Sequence, residues 1–95
     1  MYSVYEATVA DVTAYTNALP EVEKILKEHG AQRLAGGFDK AKLIDGKPPV
    51  GNRYVIIKWD SEEAFTKAQS AGTQAWIKKN APEARQIMVE SVESK

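Results

Sequence analysis

The stretch RYVIIKW at residues 53–59 decides how this chain folds, because it is apolar on both faces that a strand can present. Side chains alternate across a strand, so the stretch carries two sets: Val55, Ile57 and Trp59 on one face, and Tyr54, Ile56 and the stem of Lys58 on the other. A strand of this kind lies in the middle of a sheet with both faces covered. The rest of the chain predicts helices for one face only. We therefore expect a second copy to cover the other face.

Length and composition indicate one globular domain, to which we assign residues 1–95. Thirteen basic residues balance thirteen acidic ones, so the chain lacks the positive surface that binding to nucleic acid requires. No apolar run reaches the ~20 residues of a membrane span. The sequence begins without a signal-peptide pattern, so we expect a cytoplasmic protein. With no cysteine and one histidine, we expect no metal site and no cofactor.

The first third of the chain predicts a strand followed by a long helix. Residues 2–9 alternate aromatic, branched and small side chains, as a strand does. Asp11 then predicts the N-cap of a helix, whose apolar positions recur every three or four residues until Gly30 ends it. Pro20 interrupts this helix, and we expect a kink or a restart there.

The middle of the chain predicts two strands joined by a loop. Residues 31–44 form the second strand, in which the pair Gly36-Gly37 predicts a bulge or a sharp bend. The loop covers residues 45–51, which are rich in glycine and proline. The third strand is the stretch at residues 53–59.

The last third predicts a helix pair and a final strand. Asp60 or Ser61 caps a helix that ends at Gly72, and a short helix then runs over residues 73–82. Residues 85–92 form the fourth strand, and we expect the last three residues to fray. The order is that of an α+β ferredoxin-like β-α-β-β-α-β fold. It predicts a four-stranded antiparallel sheet with strands one and three in the middle and the helices on one face.

Several features of this order resemble domain of unknown function 1330 (DUF1330), a family of the dimeric α+β barrel superfamily. They are Glu6, Asp11 and Tyr15, the junction at residues 30–33 with Gly36-Gly37, the Asp45-Gly46 turn, and residues 53–61. The resemblance covers essentially the whole chain. It implies a dimer whose sheets pack into a barrel-like core with helices outside. It implies no settled activity, because the superfamily includes cofactor-free monooxygenases, isomerases and haem enzymes.

Glu6 and Lys58 are the first candidate site residues. Both are predicted on the partner-facing side of neighbouring central strands, where buried charges need pairing. In one interpretation they belong to a polar pocket, between helix and sheet or in the barrel, in which Glu6 is a base or an anchor. In the other they form a cross-strand ion pair that fixes the register.

Arg33 and Arg53 begin the second and third strands, and a hairpin is expected to bring these strands together. Arginine offers a planar fork to carboxylates, so either residue could bind an acidic ligand. The alternative is a salt bridge to Glu28, to Asp39 or to an acid of a partner chain.

His29 is the only residue whose ordinary pKa lies near neutrality, which makes it a candidate acid or base. Its position before Gly30 also suits a plain cap of the helix C-terminus. Trp76, with Tyr15 and Phe65, could line the mouth of a pocket or could form ordinary core.

These residues predict a small dimeric protein that binds a small organic molecule in a cleft near the barrel. The predicted ligand-binding residues are Glu6, Tyr15, Arg33, Tyr54, Lys58 and Trp76, and the catalytic candidates are Glu6, His29 and Lys58. Two alternatives stay open: a cofactor-free monooxygenase or isomerase, and an interaction module without a pocket.

Overall fold

Four antiparallel strands form one sheet in the order β2-β3-β1-β4, and three helices complete the fold. The structure is a computed structural model that describes residues 1–48 and 50–90. The elements are β1 (Tyr2–Ala7), α1 (Val12–Glu28), β2 (Gln32–Phe38), β3 (Arg53–Lys58), α2 (Glu62–Ala68), α3 (Gln74–Asn80) and β4 (Arg85–Val89). The predicted ferredoxin-like architecture, with β1 and β3 in the middle of the sheet, is confirmed.

Helix α1 begins and ends where the sequence predicts. The side chain of Asp11 accepts a hydrogen bond of 3.0 Å from the Ala14 backbone N–H, and Gly30 follows the helix with a φ of +75°. The expected restart at Pro20 is wrong, because α1 is one helix of 17 residues. Pro20 and Thr16, whose carbonyl loses its donor, are both exposed, so that carbonyl can bond to water while the apolar face continues unbroken.

The second helical region breaks at Gly72, as predicted. Gly72 lies in the link Gln69–Thr73 and has a non-helical φ of +147°, so α2 and α3 are two helices that meet at a kink. A Cβ at this position would lie 2.7 Å from Cδ1 of Ile25, which means that glycine also permits the close approach of α1.

Strand β2 ends at Phe38, six residues earlier than predicted. The irregularity in its pairing lies between Arg33 and Ala35 rather than at the glycine pair. Gly36 instead allows close approach of β3, because a Cβ there would lie 2.8 Å from the Tyr54 carbonyl oxygen. Strands β1 and β3 also end earlier than predicted, at Ala7 and Lys58.

Strand β4 ends at Val89, whereas the sequence predicts an end at residue 92. Residues 91–95, to which the predicted strand end and the expected fraying belong, lie outside the described residues.

The two faces of the sheet divide as the sequence predicts. Val55, Ile57 and Trp59 are buried under the helices, together with Tyr5, Ala7 and Val9 of the first strand and its extension. On the opposite face a row of aliphatic side chains, which we call the aliphatic row, crosses all four strands in register: Ala35, Ile56, Val4 and Ile87. Ile56 and Ile87 of this row are exposed, whereas the residues of the other face belong to the buried core. In the described ranges no helix has the length and apolar character needed to cross a membrane.

Candidate functional site

A cavity of about 60 Å³ lies between the helices and the covered face of the sheet. We call it the helix–sheet cavity. Most of its wall is apolar, and the aromatic side chains that line it are Tyr5, Tyr15, Trp59, Phe65 and Trp76. The sequence predicts three of these, Tyr15, Phe65 and Trp76, as a possible pocket lining. The rings of Tyr15 and Trp76 meet edge to face with their centres 5.2 Å apart, and both side chains are buried. These two residues therefore belong to the hydrophobic core and also line the cavity.

A pair of phenol hydroxyls forms the polar end of this cavity. The hydroxyls of Tyr5 and Tyr15 lie 3.0 Å apart and share one hydrogen bond. Burial, and then the bond to Tyr15, raise the pKa of Tyr5 far above its usual value of 10.0, so this phenol stays protonated at any ordinary pH. Two hydroxyls carry two protons, and their mutual bond uses one. The other O–H is available as a donor, since no further partner for it is found among the described residues.

The buried side chain of Arg53 lies against the ring of Tyr15 but does not itself line the cavity. Arg53 is only 5% exposed, and its guanidinium lies 4.8 Å from the ring centre of Phe38 and 5.7 Å from that of Tyr15. Its Nε has no hydrogen-bond partner among the described residues, and none of their three ion pairs includes it. Cation–π contacts contribute about 0.5–2 kcal/mol, which is less than the several kcal/mol needed to bury an ion. The positive charge of Arg53 is therefore not neutralised by the described chain.

The hairpin brings β2 and β3 together as predicted, but it does not bring the two arginines together. In the antiparallel pair of β2 and β3, Arg33 is opposite Ile57 and Arg53 is opposite Phe38, so the arginines lie at opposite ends of the hairpin. Arg33 binds Glu23 of α1 at 3.1 Å, on the surface, rather than the predicted Glu28 or Asp39. Arg53 pairs with neither of those acids.

Glu6 lies on the open face of the sheet, where it gathers donors from three segments. Its Oε2 accepts hydrogen bonds from the Tyr54 hydroxyl at 2.8 Å and from the backbone N–H groups of Val50 at 3.1 Å and Gly51 at 3.3 Å. Its Oε1 is paired with the Arg85 guanidinium at 2.7 Å. The Tyr54 bond, followed by the backbone bonds and Arg85, holds the pKa of Glu6 below 4.5 although burial opposes this. Glu6 is thus a well-satisfied anion.

The predicted pair of Glu6 and Lys58 is wrong, whereas the prediction that Glu6 and Tyr54 share one face of the sheet is confirmed. Lys58 is opposite Tyr2, four residues along the strand from Tyr54, which is opposite Glu6. The two charges lie on one face, but on the order of 13 Å of strand separates them. The cation that binds Glu6 comes from β4 instead.

His29 lies at the C-terminal end of α1. It belongs neither to the lining of the helix–sheet cavity nor to the side chains that bind Glu6. Its Nδ1 is 2.8 Å from the Ile25 carbonyl oxygen, and its backbone N–H also bonds within the last turn. This is the capping arrangement that the sequence offers as one of two interpretations.

The sequence reasoning missed Tyr5 and Arg85. The alternation of β1 places Tyr5 under the helices, but its contact with Tyr15 depends on how α1 crosses the sheet. Arg85 meets Glu6 because β4 pairs with β1 in a register that only the assembled sheet defines. Within residues 1–48 and 50–90, no three histidine, aspartate or glutamate side chains are grouped so as to hold a metal ion.

Comparison with known proteins shows the fold and nothing finer. No protein-family model matches the chain, and no curated protein matches its sequence, so the resemblance to DUF1330 stays a prediction. A solved protein of unknown function from Rhodopseudomonas palustris is similar with a TM-score of 0.69 at 13% identity, over 98% of this chain and 82% of that one. An antibiotic biosynthesis monooxygenase is similar with a TM-score of 0.50 at 16% identity, over 98% of this chain and 100% of that one. The chain therefore has the α+β fold that these two structures share.

Proposed function

We propose that this protein binds a small, largely apolar organic molecule in the helix–sheet cavity. The observation that supports this most directly is a mostly apolar cavity whose polar groups include the paired hydroxyls of Tyr5 and Tyr15. Binding sites for small molecules commonly combine apolar walls with a few placed polar groups and with perturbed pKa values. Of the residues predicted to bind a ligand, Tyr15 and Trp76 belong to this site. Glu6, Tyr54, Lys58 and Arg33 do not line it.

A catalytic step is a second candidate function, favoured only by the shared fold with an antibiotic biosynthesis monooxygenase. The residues predicted for such a step, Glu6, Lys58 and His29, lie outside the cavity. Chemistry in the cavity would have to use its own phenols, and Tyr5 is a neutral donor rather than a base. Binding without turnover is therefore the function that we propose.

We further propose that two copies pair through the open face of the sheet. The aliphatic row lies on a broad side of a slab measuring 34 × 34 × 18 Å, which offers room for the ~800 Å² per partner of a standard interface. The formal net charge of the chain is zero, so two copies do not repel each other. A cytoplasmic location stays a prediction.

A cavity-filling variant tests the ligand site. Val22 of α1 is buried and lines the cavity, whereas Val12 of the same helix is 42% exposed and does not. Val22→Phe should abolish binding of small probes, and Val12→Phe should leave binding unchanged. Suitable probes are isobutyramide, benzamide, isobutyrate and benzoate, added at millimolar concentration while the two indole N–H signals are followed by NMR. Trp59 and Trp76, which give these signals, both line the cavity.

Overpacking at Val22 should destabilise the fold by about 1–3 kcal/mol. If Val22→Phe does not fold, Val22→Met provides a milder filling of the same space. The proposal fails if none of the four probes shifts either indole signal in the unmodified protein, or if Val22→Phe folds and binds as the unmodified protein does.

A further inference from the structure

We infer that the molecule bound in the helix–sheet cavity is a small carboxylic acid whose carboxylate lies at the hydroxyl end, beside the charge of Arg53. This inference rests on the proposed function and specifies the class of ligand. It starts from a charge that the described chain leaves unbalanced.

The arrangement around Arg53 is unusual for a buried cation. Aromatic rings of Phe38 and Tyr15 lie against the guanidinium, where a structural arginine would ordinarily meet a carboxylate. The Nε donor is buried and unpaired among the described residues, and Glu28 and Asp39, the acids that the sequence suggests as partners, form no ion pair with it. An anion supplied from outside the chain would balance this charge.

Tyr15 contacts both Arg53 and the other phenol of the cavity. The ring of Tyr15 lies against the guanidinium, while its hydroxyl bonds to Tyr5 inside the cavity. The charge of Arg53 also opposes the rise in the pKa of Tyr5, although burial and the bond to Tyr15 outweigh it. An anion at this end would receive a hydrogen bond from the free phenol O–H and would be attracted by Arg53, without direct contact between the ligand and the guanidinium.

The chemistry of the walls selects among anions. One cation and two neutral phenols suit a single negative charge, whereas a phosphate group carries more charge and needs more donors. The remaining wall is mostly apolar and the cavity is small, about 60 Å³. A short carboxylic acid with an aliphatic or aromatic body meets both conditions.

Matched acids and amides test this inference, because an amide has nearly the shape of its acid but no charge. We expect isobutyrate and benzoate to bind at least tenfold more tightly than isobutyramide and benzamide at pH 7, as measured from the indole N–H shifts. Arg53→Met should remove this preference while leaving the affinity for the amides unchanged. Arg33→Met, which removes an exposed arginine paired with Glu23, should leave the preference intact.

The outcomes separate this inference from the proposed function. Equal binding of acids and amides would overturn the inference and leave the ligand site standing. No shift with any of the four probes would overturn both. A preference that survives in Arg53→Met would overturn the role of Arg53. If Arg53→Met does not fold, Arg53→Lys should retain part of the preference because it keeps the charge, and Tyr15→Phe should weaken acid binding more than amide binding.

Discussion

Four donors from three segments of the chain bind the single carboxylate of Glu6. Tyr54 belongs to β3, Arg85 to β4, and the backbone N–H groups of Val50 and Gly51 belong to the loop before β3. Hydrogen bonds to a charged group contribute about 1.5–3 kcal/mol each where they are buried, and their loss leaves unpaired donors behind. A single substitution at this position should therefore loosen the loop and both strands.

Glu6→Gln should make the free energy of unfolding depend less on pH between pH 7 and pH 3. The folded chain holds the pKa of Glu6 below 4.5, so the ionised form stabilises the fold. This contribution is fully present above the unfolded pKa of about 4.3 and is lost as the pH falls through the lower, folded value. Urea unfolding at several pH values from 7 to 3 measures the effect. We expect the unmodified protein to be about 1–3 kcal/mol more stable than Glu6→Gln at pH 7 and to lose this margin in acid.

Glu63→Gln is the matched control, because Glu63 is exposed and forms only a 3.6 Å pair with Lys67. It should leave both the stability at pH 7 and the acid profile nearly unchanged. A Glu6→Gln margin that is constant between pH 7 and pH 3 would contradict the role assigned to the ionised carboxylate.

The partners of single residues were the part that the sequence predicted least well. Alternation in β1 and β3 gives the faces of Glu6, Tyr54 and Lys58 correctly, because a period of two fixes direction. It does not give the register, and the register decides that Glu6 is opposite Tyr54 and Lys58 opposite Tyr2. A shift of a few residues along a strand exchanges one ionic partner for another without changing the pattern.

Among the elements, α1 and the α2–α3 pair show how local signals compete with packing. The apolar face of α1 predicts a continuous helix and Pro20 predicts a break. The helix is continuous, because Pro20 lies on its exposed side and does not interrupt the apolar face. Gly72 predicts an end, and the chain does kink there between α2 and α3. The Ile25 side chain of α1 also approaches this glycine closely, and no local pattern reveals that contact.

Gly72→Ala should destabilise the fold by roughly 1–3 kcal/mol or more. The substitution places a side chain at a φ of +147° and a Cβ 2.7 Å from Cδ1 of Ile25. Gly46→Ala is the matched control, since Gly46 also has a positive φ, +89°, but nothing lies within 4 Å of an added Cβ. Urea unfolding of both variants measures the difference. Equal losses would mean that backbone conformation alone matters and that the approach of α1 to the kink at Gly72 adds nothing.

The sequence predicts the overall architecture better than it predicts the contacts of individual residues. Strand order, the central position of β1 and β3, and the division of Val55, Ile57 and Trp59 from Tyr54, Ile56 and Lys58 are confirmed. These features depend on hydrophobic pattern and chain connectivity, which a sequence carries directly. The helix–sheet cavity depends instead on how α1, α3 and the sheet meet, and the sequence reasoning located it only through Tyr15, Phe65 and Trp76.

The aliphatic row leads to the prediction about assembly. Ile87 is 47% exposed in the single chain, so an aspartate there would remain in water and the monomer should fold. In a dimer formed through this face the same aspartate would be buried without a partner, which disfavours association strongly. At about 10 micromolar we therefore expect sedimentation to give twice the 10.5 kDa chain mass for the unmodified protein and a monomer for Ile87→Asp. Ile44→Asp, at a loop residue that is 97% exposed, should remain dimeric. A monomeric unmodified protein, or an Ile87→Asp variant that still pairs, would show that the open face of the sheet is not the interface.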